Sequence, residues 1–218
     1  MIFKLIQKEF TLELRRNAVI SGIGLYLFSL IFICYLTFRL RQNSINEATW
    51  SALFWLALLF SVINSVAKSF IGEKKGLFMY YYSIASPQSS ILSKIIYNTI
   101  LCLVLSLAAY VLFSTFIGNP VTDIGLFILT LFLTSIGFSA SLSLISGIAS
   151  KANNSNILMA VLSFPVIIAL LLMAIKITKN VLDGLDRSAS MDELLNLIAI
   201  NSILTALAYI LFPYIWRS

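Results

Sequence analysis

The chain has 218 residues, 60% hydrophobic and 11% charged, with a formal net charge of +6 and a mean hydropathy of +0.97. Soluble chains carry about a quarter charged residues, so a soluble domain is excluded and a polytopic membrane protein remains. The apolar runs are long and continuous, not short and alternating, so the spans are helical and not the strands of a barrel.

Met1 to Arg16 reads as an amphipathic helix lying in the membrane interface. At about 100° per residue, Lys4, Lys8, Thr11 and Arg15 share one face, while Ile2, Phe3, Ile6, Phe10 and Leu14 share the other. Glu9, Glu13 and Arg16 form a narrow polar stripe inside the apolar half. The plain assignment is a Glu13–Arg16 ion pair at i,i+3; the functional one makes Glu9, Glu13, Arg15 and Arg16 a docking patch for a partner. The first apolar run follows a charged stretch, is too long for a signal h-region and lacks an A-x-A exit, so it is expected to stay as a span.

Six spans are expected within one domain, 1–218, at about 18–38, 50–67, 91–117, 124–149, 157–175 and 194–216. Trp50 and Trp55 are expected as interfacial anchors of the second. Between the second and third lies the main polar stretch, Lys68 to Lys94, with Glu73, Lys74, Lys75, Gly72, Gly76 and Tyr80 to Tyr82. Ser86 is a candidate N-cap with Pro87 at N1, so the third helix is expected to start there. Gly118-Asn119-Pro120 is a turn signal. The fourth span is dense in small residues, Gly137, Ser139, Ser141, Ser143, Ser146 and Gly147, which predicts close helix packing more than a substrate path. Pro165 in the fifth predicts a kink. Lys176 to Glu193 is expected as a loop, with Val181, Leu182 and Leu185 on a short surface-lying helix.

Six spans place both termini on one side. Ten of the fifteen Lys and Arg fall there, against Arg39, Arg41, Lys176, Lys179 and Arg187 on the other, so the N-terminus and the segment 68–90 are expected in the cytoplasm. The positive charge flanks spans, which suits lipid headgroups and not nucleic acid.

Catalytic chemistry is hard to place. Histidine is absent, and Cys34 and Cys102 sit in apolar runs without a C-x-x-C pairing. No charged residue falls in the middle of an expected span, which argues against an ion-coupled carrier or intramembrane hydrolysis. Gly72 to Gly76 has the wrong spacing for a P-loop and no Lys-Ser/Thr after it. No catalytic or metal-binding residue is expected, no cofactor is expected to bind directly, and energy for any work must come from another polypeptide. The segment 68–90, with charged residues beside Leu77, Phe78, Met79 and three tyrosines, is the expected place to receive it, because full solvation of those side chains is costly; the plainer alternatives are a solvated connection and tyrosines anchored at the headgroup level.

These residues also carry a resemblance. Phe10-Thr11-Leu12-Glu13-Leu14-Arg15, the run from Glu73 through Gly76 and Leu77 to Ser86-Pro87 and Ile91-Leu92-Ser93-Lys94, and Lys151 followed by Leu158 to Met173 resemble the CcmB family. This is the membrane subunit of the ABC-type complex of cytochrome c maturation, also called haem exporter protein B. The resemblance implies an all-α permease of the ABC-2 (type V exporter) kind, in the inner membrane of a bacterium. It implies that Glu73, Lys74, Lys75, Gly76, Leu77, Phe78, Tyr80 and Pro87 form a coupling element seated on the ATP-binding subunit CcmA. It further implies association with CcmC, CcmD and the haem chaperone CcmE, two copies per complex, ATP on the partner subunit, and haem handled by the complex. With haem ligands reduced to Met, Tyr or Cys, mechanical transmission is favoured over haem conduction. A permease exporting a lipid or drug-like molecule, and a scaffold without energy coupling, are the rivals.

Overall fold

Apolar runs separated by Gly, Pro, Asn and charged breaks become helices because a backbone without water must satisfy its own hydrogen bonds. The computed structural model describes residues 2–15, 17–41, 46–66, 86–151 and 155–217, all of them helix or connecting turn. In order these are α1 (Ile2–Arg15), α2 (Asn17–Arg41), α3 (Glu47–Val66), α4 (Pro87–Phe116), α5 (Ile124–Ala149), α6 (Ser155–Leu182), a 3-10 turn (Arg187–Ser190) and α7 (Met191–Arg217). Five of them are long and apolar enough to cross a bilayer, and α2 adds a shorter apolar stretch, Gly22–Phe38.

Helix α5 is the keel. Its Gly, Ser and Ala side chains leave room for neighbours, and nearly all of its second half is buried. It packs against α4, α6 and α7. The close approach is tightest at Gly137, where an added Cβ would lie 2.5 Å from Asn201 Oδ1 and 2.7 Å from Leu170 Cδ2. The small-residue run is therefore a packing surface, as the sequence predicts.

Helix ends follow their local chemistry. Ser86 caps α4, its hydroxyl accepting from the Ser89 amide at 3.3 Å with Pro87 in the first turn. Asp123 caps α5 by accepting from the Leu126 amide at 3.1 Å. Gly118, with φ of 107°, ends α4, and Gly184, with φ of 67°, closes α6. At Gly184 the Leu185 amide reaches back to the Asn180 carbonyl at 3.0 Å; such a turn favours a residue without Cβ.

Three expectations are corrected. Trp50 and Trp55 are 2% and 1% exposed, inside an aromatic nest with Phe54, Phe113 and Phe127, so they are core residues and not interfacial anchors. The fifth apolar stretch does not stop near Ile175: α6 runs on to Leu182, and Val181 and Leu182 are buried in the bundle. There is thus no separate surface helix at that point, only the short turn 183–190. Helix α3 begins at Glu47, ahead of Trp50, with Asn46 Oδ1 accepting from the Ala48 amide. Helix α6 carries Pro165, and α7 carries Pro213, within continuous helix.

Candidate functional site

The segment expected to meet a partner falls mostly outside the described residues: Glu73, Lys74, Lys75, Gly76, Leu77, Phe78 and Tyr80 all do, and so does Arg16. Pro87, the last of that group, is the first residue of α4. Glu13 and Arg15 belong to the last turn of α1, whose described side chains stop at Leu12. Glu9 is described, and it faces the bundle.

At the end of the bundle that holds α1, Lys94 in the second turn of α4 is only 2% exposed. Its Nζ donates to Glu9 Oε2 at 3.3 Å, and Lys8 Nζ meets Glu9 Oε1 at 3.1 Å. A buried ammonium needs such a partner, because desolvation otherwise outweighs what it gains. One turn along, Phe10 packs edge-on to Tyr97 with ring centroids 4.9 Å apart. Sequence reading placed Lys94 among solvated cationic flanks. Its burial depends on a residue 85 positions away, a distance at which no periodicity signal operates.

Inside the bundle the ties are neutral. Asn98 Nδ2 donates to Ser143 Oγ at 2.8 Å, and Ser139 Oγ donates to the Ile95 carbonyl at 2.6 Å, joining α4 to α5. Asn201 Nδ2 donates to the Leu133 carbonyl at 2.8 Å, joining α7 to α5. Neutral amides and hydroxyls suit these depths, where a charge is expensive. Beside Asn201 an open groove of about 610 Å³ runs between α4, α5 and α7, lined by Leu92, Leu133, Ile136, Ile198, Tyr209 and Ile210 among others.

The opposite end is laced together. Trp50 Nε1 donates to the Gly118 carbonyl at 3.0 Å and Trp55 Nε1 to Thr178 Oγ1 at 3.0 Å. Thr122 Oγ1 donates to the Val181 carbonyl, and Asn180 Nδ2 to Ser190 Oγ at 3.0 Å. Arg187 clasps Asp123 with both arms, Nε to Oδ2 at 2.6 Å and Nη2 to Oδ1 at 3.0 Å. The Arg187 bond and the Leu126 amide hold the Asp123 carboxyl down at about 2. Together these contacts bind α3, the end of α4, the end of α6 and the start of α7 into one plate. None of this lacing was read from sequence. Trp50 and Trp55 looked like headgroup anchors, and Arg187 like one of the cations that flank spans.

Among the described residues no group of three or more His, Cys, Asp or Glu side chains could hold a metal ion. Helix α4 runs unbroken from Pro87 to Phe116, bonded to α1 and α5 near its start and to the plate at its far end.

Residues 1–211 match the family model described as CcmB protein. The chain belongs to the CcmB family. CcmB proteins are permease-type membrane subunits of the haem exporter ABC system in cytochrome c biogenesis, working in a complex with other Ccm subunits. A CcmB chain is a multi-pass membrane protein, which agrees with the apolar helices described above. No curated protein matches this CcmB chain.

Proposed function

We propose that this chain takes up the movement of an ATP-hydrolysing subunit through the segment 68–90 and carries it across the membrane to release the haem-loaded chaperone. By resemblance the ATPase is CcmA, seated against Glu73, Lys74, Lys75, Gly76, Leu77, Phe78, Tyr80 and Pro87 on the cytoplasmic side. The chaperone is CcmE, released from CcmC, with CcmD in the same assembly. ATP stays on the partner, haem is handled by the complex and not ligated by this chain, and two copies serve a pair of ATPase subunits. The complex lies in the bacterial inner membrane with the N-terminus of this chain in the cytoplasm.

The observation that carries the reading is the continuity of α4. It starts at a capped N-terminus directly after that segment and runs 30 residues without a break, about 45 Å at the helical rise. Its far end is held by Trp50 at Gly118 and continues into Thr122 and Asp123, which grip α6 and the turn before α7. A displacement at Pro87 therefore reaches the far side as a movement of the whole plate. The groove beside Asn201 is what favours the rival reading, export of a lipid or drug-like molecule.

Gly76→Pro and Glu73→Lys test the proposal in the assembled complex. Both variants are expected to insert normally, to retain ATP hydrolysis by the complex and to lose holo-cytochrome c. Normal holo-cytochrome c yields in these variants would refute the reading. ATPase stimulation by a lipid or drug, with none by the chaperone, would install the exporter reading instead.

A further inference from the structure

Resting on that reading, we propose that Glu9 and Lys94 lock the interfacial helix α1 to α4 so that the two move as one body, which makes both of them positioning residues for the transmission step.

A helix that only floats in the headgroup layer needs an apolar face in lipid and a polar face in water. Helix α1 has more than that. Phe3 and Leu12 are exposed at 77% and 45%, yet Glu9 is turned inward, its side chain 14% exposed, toward an ammonium whose side chain is 3% exposed. Both carboxylate oxygens are engaged, one by Lys8 and one by Lys94. Separating α1 from α4 would break the contact between Glu9 and a buried ammonium, and breaking a buried pair is far costlier than breaking an exposed one. The Phe10–Tyr97 contact lies on the same side of α4 and adds an apolar hold. The graft is at the input end: Lys94 sits in the second turn of α4, close to the segment that would receive the push. Any displacement of the start of α4 must then carry α1 with it.

The experiment uses the complete complex in lipid, with nitroxide labels at Lys4→Cys and Val111→Cys, both exposed, on a Cys34→Ala, Cys102→Ala background. Pulsed dipolar spectroscopy reads the α1–α4 distance with and without ATP. One narrow distance, unchanged between nucleotide states, is expected. Lys94→Met, and the milder Glu9→Gln should Lys94→Met fail to assemble, are expected to broaden it and to lower holo-cytochrome c per ATP hydrolysed. The charge swap Glu9→Lys with Lys94→Glu is expected to restore both. A distance that shifts with nucleotide in the unsubstituted pair overturns the proposal, as does an unchanged distribution in Lys94→Met and Glu9→Gln. If Gly76→Pro uncouples while the latch variants keep normal coupling, the latch role fails and the input reading stands. If Gly76→Pro leaves coupling intact, the input reading fails, and the label distances still decide whether α1 and α4 are one body.

Discussion

Gly137→Ala should be among the most damaging small substitutions in the chain. The added Cβ would lie 2.5 Å from Asn201 Oδ1 and 2.7 Å and 3.0 Å from the two Leu170 methyl groups. Leu170 is fully buried and Asn201 is 6% exposed, so neither can swing into lipid. Overpacking of a filled interior costs about 1–3 kcal/mol. Turning Asn201 aside also breaks its 2.8 Å bond to the Leu133 carbonyl, worth about 1 kcal/mol between membrane helices. The combined loss is about 2–4 kcal/mol. It can be read as reversible unfolding in mixed micelles, following the emission of the buried Trp50 and Trp55. Asn201→Ala closes a double-mutant cycle. With the amide gone, part of the clash is relieved and the bond is already lost, so Gly137→Ala should cost about 1 kcal/mol less in that background. A Gly137→Ala protein as stable as the parent, or costs that simply add, would refute the packing argument.

Thr178→Val keeps the shape of a buried side chain but removes the oxygen that accepts from Trp55 Nε1 and the hydroxyl that donates to the Ala174 carbonyl. It should cost about 1–3 kcal/mol in the same unfolding measurement, with a shift in indole emission. The Asp123–Arg187 clasp gives an acid signature. The folded carboxyl, at about 2, lies below the ordinary value of about 3.9. Its contribution is therefore complete above about pH 4 and lost as the pH falls toward 2. Asp123→Asn should remove that stretch of the pH–stability curve; an identical curve in the variant would show that the clasp contributes nothing.

The span pattern and the packing role of α5 were legible because hydropathy and residue size act locally: a run of Gly, Ser and Ala in an apolar helix permits close neighbours whatever those neighbours are. The family was legible for a different reason, from short motifs such as Phe10 to Arg15 that can be read directly as strings. The end of α6 was not legible. Lys176, Lys179 and Asn180 look like loop residues, but the two lysines point outward while Thr178 turns in to meet Trp55, and the helix simply continues. Trp50 and Trp55 misled through a real tendency: tryptophan does favour membrane interfaces, and only the Gly118 carbonyl and the Thr178 hydroxyl make burial of these two indoles affordable. Lys94 and Arg187 show the general limit. A cation near a span end reads as a topology signal until its carboxylate, 85 or 64 residues distant, is placed beside it.

The way the fastenings are distributed bears on the choice between a conduit and a lever. Among the described residues, charge pairs sit at the two ends, with Glu9 and Lys94 at one and Asp123 and Arg187 at the other, while the bundle between them is joined by neutral amides and hydroxyls. A conduit for haem would be expected to open along a helix interface, and apart from the groove beside Asn201 the interfaces flanking α5 are stitched by these bonds and closed by small-residue packing. Opening them would expose Asn98, Ser139 and Asn201 to lipid, where an unpaired polar group is penalised. A lever asks for the opposite: a stiff rod, a firm grip at the input end and a plate that shifts without coming apart. The far-end plate is tied through α3, α4, α6 and the turn before α7, so a displaced α4 cannot be absorbed by one loop. On the transmission reading, a far-side partner would sense that plate, and substitutions that unlace it should impair chaperone release while leaving ATP hydrolysis at the other end intact.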